Sequence, residues 1–128
     1  MPKYMLLLYR GEPSPEEREE RESEKPLWIE FNRSLRDAGL LVSGEPLYPV
    51  EAATTVRVRN EETEILDGPF AVTKEFLAGY FLLECADLDE ALKQAARVPL
   101  ARYGSVEVRP VVDMSAPVTA DGEAAAAP

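Results

Sequence analysis

Two segments of the chain are apolar on both alternating faces. In Lys3 to Tyr9 (KYMLLLY), Tyr4, Leu6 and Leu8 point one way and Met5, Leu7 and Tyr9 the other, and Tyr80 to Cys85 (YFLLEC) repeats the pattern. Strands of this kind belong at the centre of a sheet covered from both sides. Ala53 to Arg59 (ATTVRVR) alternates instead, with Thr54, Val56 and Val58 against Thr55, Arg57 and Arg59, which predicts a strand with one packed and one wet face. Asn60 to Glu62 supply the turn of a hairpin returning through Thr63 to Leu66. Leu40 to Val42 reads as a short strand entering a proline-marked stretch. Ser105 to Val112 alternates with Pro110 inside it, the mark of an edge strand.

Helical spacing occurs in two places. Ser14, Pro15 and Glu17 form a capping sequence, followed by a nearly all-charged stretch, Glu16 to Lys25, that can bury little. Pro26 predicts a break there. Beyond it Leu27, Trp28, Phe31, Leu35 and Ala38 recur on one face until Gly39. Asp87 and Glu90 open another helix, with Leu88, Ala91, Leu92, Ala95, Ala96 and Val98 apolar and Pro99 as its stop. Between these regions Asp67, Gly68, Pro69 and Phe70 force a turn, and Thr73 to Leu77 is expected to form one helical turn.

The order strand, helix, strands, strand, helix, strand predicts an α+β domain of ferredoxin-like, split βαβ type with an added central hairpin. In that topology the first and penultimate strands are central. Two helices cover only one face of the sheet, so a second copy packed face to face is expected, giving a homodimer. The competing arrangement has the hairpin fold back over the sheet. The domain is expected over residues 1–113, with a disordered tail over 114–128 of small and polar residues.

Composition narrows the function. With 24 acidic and 14 basic residues and no His, the net charge of −10 disfavours direct nucleic-acid binding. No apolar run reaches the length of a membrane span or a signal-peptide core, so a cytoplasmic protein without membrane attachment is expected. Cys85, the single cysteine, reads as a buried apolar residue. No zinc, calcium or phosphate-loop pattern occurs, so neither metal nor cofactor is expected.

The segment Asp67 to Tyr80, DGPFAVTKEFLAGY, resembles the signature of the DGPF branch of the YCII-related family, and KYMLLLY, AGLLVSGEPL, ATTVRVR, DLDEAL and RVPLARYGSVEVRPV resemble it in order and spacing. The resemblance implies a dimeric α+β barrel. Some relatives are proposed enzymes with a His and Asp pair, and a distant branch dehalogenates a lactone; the absence of His here excludes an imidazole base. It also implies, by association alone, a link to sigma factors of the extracytoplasmic-function type.

Candidate chemistry centres on Asp67, Lys74 and Glu75, a carboxylate on a tight turn followed by a cation and a second carboxylate, with Asp67 as the base. The structural alternative is that Asp67 bonds to its own turn while Lys74 and Glu75 pair at the surface. Arg57, Arg59, Phe70, Arg102 and Tyr103 are the candidate ligand contacts, the paired guanidiniums suiting a small acidic ligand; alternatively Arg57 and Arg59 form a solvated face or pair with Glu64. A non-catalytic accessory domain binding a small acidic metabolite or a protein partner is the leading expectation. The alternative is an enzyme on small carbonyl or carboxylate compounds using Asp67, with Lys74 or Arg57 stabilising negative charge.

Overall fold

The structure, a computed structural model, describes residues 1–115; most of the expected tail lies outside them. Strand β1 (Lys3–Arg10) is followed by helices α1 (Pro15–Glu22) and α2 (Lys25–Asp37), then β2 (Leu41–Pro46), β3 (Thr54–Arg59), β4 (Glu62–Asp67), β5 (Phe76–Glu84), α3 (Leu88–Arg97) and β6 (Ser105–Pro110). The larger sheet has the order β2-β5-β1-β6, every neighbouring pair antiparallel. This is the expected α+β, ferredoxin-like arrangement. The doubly apolar strands are the two central ones, and the strand ending in Pro110 lies at an edge.

The helices cover one face. Tyr4, Leu6, Leu8, Phe81 and Leu83 from the strands, and Cys85 just past β5, are buried against Phe31 and Leu35 of α2, Ala91 and Ala95 of α3, and Val98 and Leu100 beyond it. Helix α3 packs through its alanines, a short-side-chain row at i and i+4. Its larger Leu88 and Leu92, expected on the same face, lie one position round and stay substantially exposed. Leu27 of α2 and Ala38 at its C-terminal cap are likewise exposed. On the opposite sheet face Met5, Leu7, Tyr9, Tyr80 and Leu82 are only partly buried.

Local signals set the helix boundaries. Ser14 Oγ accepts from the Glu17 amide and the Glu17 carboxylate accepts from the Ser14 amide, completing the capping box. Helix α1 nevertheless buries no residue, because its sequence PEEREERE contains nothing apolar to bury. The chain breaks at Ser23 and Glu24, and Pro26 sits in the first turn of α2, where its missing N–H has no helical partner to lose.

Two further expectations fail. Thr73 to Leu77 is not helical: Phe76 and Leu77 join β5 and pair with Arg10 and Tyr9, so ladder pairing with the central strand overrides the local cap. The hairpin β3–β4 packs neither of its faces, forming a separate two-stranded sheet with Val58 59% and Ile65 69% exposed. It does not fold over the larger sheet as a third layer. Its two-residue turn places Asn60 and Glu61 at φ 50° and 67°, the left-handed pair that matches the twist of a hairpin.

Candidate functional site

A cleft opens where β1 ends and the helices begin. The outer part, about 660 Å³, lies between α1 and the stretch after β2; the inner part, about 470 Å³, runs between α2 and the sheet. Arg10, Arg21, Lys25, Leu47 and Ala78 line both. The inner walls are mainly apolar and aromatic, including Trp28, Phe81, Leu100 and Tyr103. Both volumes fall within the roughly 300–1,000 Å³ of small-molecule sites.

The cations reach the cleft from different elements. Arg10 is the last residue of β1, partly buried, and among the described residues no ion pair or side-chain hydrogen bond engages it. Arg21, from α1, lies over the Tyr103 ring at 3.4 Å and within 3.6, 3.9 and 3.7 Å of the Glu17, Glu20 and Glu24 carboxylates. A guanidinium over an aromatic face gains from the ring quadrupole, which anchors this otherwise unpacked helix. Glu24 is 12% exposed and accepts from Arg102 Nη2 at 2.6 Å, while its second oxygen, Oε1, is buried without a hydrogen bond. Burial, then the Glu24 charge, pushes the Tyr103 phenol above its ordinary range, with Arg21 and Arg10 opposing. Tyr103 therefore stays a neutral hydroxyl at physiological pH.

The residues singled out in the sequence fall in three places. Asp67 ends β4, exposed, and lines neither part of the cleft. Its turn closes the hairpin base: the Gly68 amide donates to the Ala53 carbonyl at 2.7 Å, Thr55 Oγ1 donates to the Gly68 carbonyl at 2.8 Å, and Arg57 Nη2 to the Phe70 carbonyl at 3.3 Å. Arg59 Nη1 donates to the Val58 carbonyl at 3.1 Å, and Phe70 is exposed. Arg57 is opposite Glu64 in register without forming an ion pair. Glu75 accepts from Ser105 Oγ at 2.9 Å and Lys74 is exposed; no hydrogen bond or ion pair joins either to Asp67. Only Tyr103 lines the cleft, with Arg102 one contact away through Glu24.

Arg10, Arg21, Lys25 and Trp28 were not distinguished by the sequence. Arg10 reads as part of a turn-prone run and Arg21 as one of many charges on a solvated helix. The available signal was position: a guanidinium that ends a strand apolar on both faces must leave the sheet beside its core.

The fold and cleft define a small α+β domain with a preformed, cation-lined recess between helices and sheet. The family model for the YCII-related domain matches residues 3–115, and the chain belongs to that family. It is also 39% identical over 112 residues, 84% of this chain and 90% of the other, to an uncharacterized protein, R00369, of Rhizobium meliloti (strain 1021).

Proposed function

We propose that the chain is a cytoplasmic, homodimeric accessory domain of the DGPF branch that binds a small acidic metabolite in the cleft between its helices and sheet. The supporting observation is Arg10, a partly buried guanidinium with no carboxylate partner among the described residues, at the mouth of a recess whose inner walls are mainly apolar and aromatic. A guanidinium without a carboxylate partner, set beside apolar walls, suits a small anion. A thermal-shift screen against small carboxylates and phosphates tests this, since a ligand that binds only the folded state raises the midpoint by mass action. A panel of such anions that leaves the midpoint unmoved at millimolar concentration would refute it.

The homodimer is supported by the partly exposed apolar row Met5, Leu7, Tyr9, Tyr80 and Leu82 on the face that the helices leave open. Face-to-face pairing about a twofold axis would bury that row and complete the α+β barrel. Sedimentation equilibrium at micromolar concentration should return twice the 14.2 kDa chain mass; a value of one chain mass overturns it. A sigma-factor partner rests on family analogy alone, and co-purification with a neighbouring-gene sigma factor is its test.

A catalytic role for Asp67, with Lys74 or Arg57 stabilising charge, needs that carboxylate in a closed pocket beside a cation. Asp67 is instead exposed at the hairpin base, and Arg57 bonds a backbone carbonyl. Binding is the function this geometry favours.

A further inference from the structure

Building on that binding role, we infer that the ligand is a monoanion with an apolar body, an aryl or branched-alkyl monocarboxylate, and that Arg10 holds its carboxylate. The inference follows from how the cleft's charges are already matched. Arg18 pairs with Glu12 at 2.8 Å. Arg21 faces the Glu17, Glu20 and Glu24 carboxylates and the Tyr103 ring. Lys25 lies 3.9 Å from Glu22, with both side chains largely in water. Among the described residues lining the cleft, Arg10 is the cation without a carboxylate.

A partly buried guanidinium stripped of some water and given no acceptor is destabilising. A single anion relieves that cost. A second negative charge on the ligand would find only Lys25, whose ammonium is largely hydrated, and would face Glu12, Glu22, Glu45 or Glu51 on the walls. A phosphate dianion or a dicarboxylate is therefore the poorer match. The ligand's remainder meets Trp28, Leu47, Phe81 and Leu100, surfaces that reward apolar area and offer no charge. The Arg10 backbone pairs with Phe76 at the end of β1, and its guanidinium offers the planar fork that suits a carboxylate.

Isothermal titration with benzoate and isovalerate, against succinate, inorganic phosphate and the neutral benzyl alcohol, provides the test. Wild-type protein should bind the monocarboxylates most tightly. Arg10→Ala should lose about tenfold or more in benzoate affinity, with Arg10→Lys intermediate because it keeps charge without the fork. Arg10→Gln serves as a second charge-removing variant, and unchanged far-UV circular dichroism establishes that each variant is folded. Tighter binding of succinate or phosphate than benzoate, or benzoate affinity within twofold of wild type in folded Arg10→Ala or Arg10→Gln, overturns the assignment. Equal binding of benzyl alcohol and benzoate would leave the cleft a binding site but remove its anion preference. Failure of every probe to bind wild-type protein would overturn the binding role and this assignment together.

Discussion

Gly104 separates two reasons for which a chain needs glycine. It precedes β6, and its φ is not in the left-handed region. A Cβ built there would lie 2.2 Å from the Tyr9 carbonyl oxygen and 2.8 Å from Leu100 Cδ2. Tyr9 is held in the ladders of β1 with both β5 and β6, so its carbonyl cannot retreat without loosening the sheet centre. Overpacking of this sort costs about 1–3 kcal/mol when side chains can yield; with a backbone atom as obstacle we expect about 3 kcal/mol for Gly104→Ala. At a urea m-value of about 1–3 kcal/mol/M, the unfolding midpoint should fall by about 1 M or more. Gly39 is the control: its φ is +73° and a Cβ there meets nothing within 4 Å, so Gly39→Ala should cost only the left-handed strain of about 1–2 kcal/mol. Equal losses for the two variants, or a Gly104→Ala midpoint within about 0.3 M of wild type, would refute the steric account.

Burial raises the Cys85 thiol from its ordinary 9.0 to about 11, so the folded state keeps a proton that the unfolded chain releases. That stabilisation is complete below about pH 9 and is lost as pH rises towards 11; Cys85→Ala should flatten the decline in this window, and rapid labelling of native Cys85 by a thiol reagent at pH 8 would contradict its burial. Glu61→Gly relieves a left-handed glutamate at the hairpin tip, about 1–2 kcal/mol of strain, against about 0.5–1 kcal/mol for glycine's added unfolded-state freedom, so the urea midpoint should rise slightly; a loss would show that the Glu61 side chain itself supports the turn. Ser14→Ala removes the cap of a helix that buries nothing, so helical circular dichroism should fall while the global unfolding free energy changes by no more than about 0.5 kcal/mol. A large global loss would mean that α1 is coupled to the core.

The core was legible because it is written in residues with one periodicity: alternation on both faces placed β1 and β5 at the centre, and the capping residues Ser14 and Asp87 marked two helix starts. Phe76 and Leu77 depart from the expected helical turn because a local cap at Thr73 competes with pairing to Tyr9 and Arg10, a contact between residues far apart in sequence. Val56 and Val58 carry a strand pattern correctly, but alternation cannot say whether any surface waits for the apolar side. The cleft was least visible. Arg10, Arg21 and Tyr103 come from a strand, a helix and a turn, and only folding reveals that Arg21 stacks on Tyr103 while Arg10 has no acceptor among the described residues.

The two ends of the β3–β4 ribbon are tied to each other at Ala53 and Gly68, and the ribbon forms a sheet of its own. Its tip at Asn60 and Glu61 is therefore a natural place to open or lengthen the chain. New termini, a peptide tag or a fluorophore inserted there would leave the pairing of the central strands undisturbed and report on the domain without touching the recess beside Arg10.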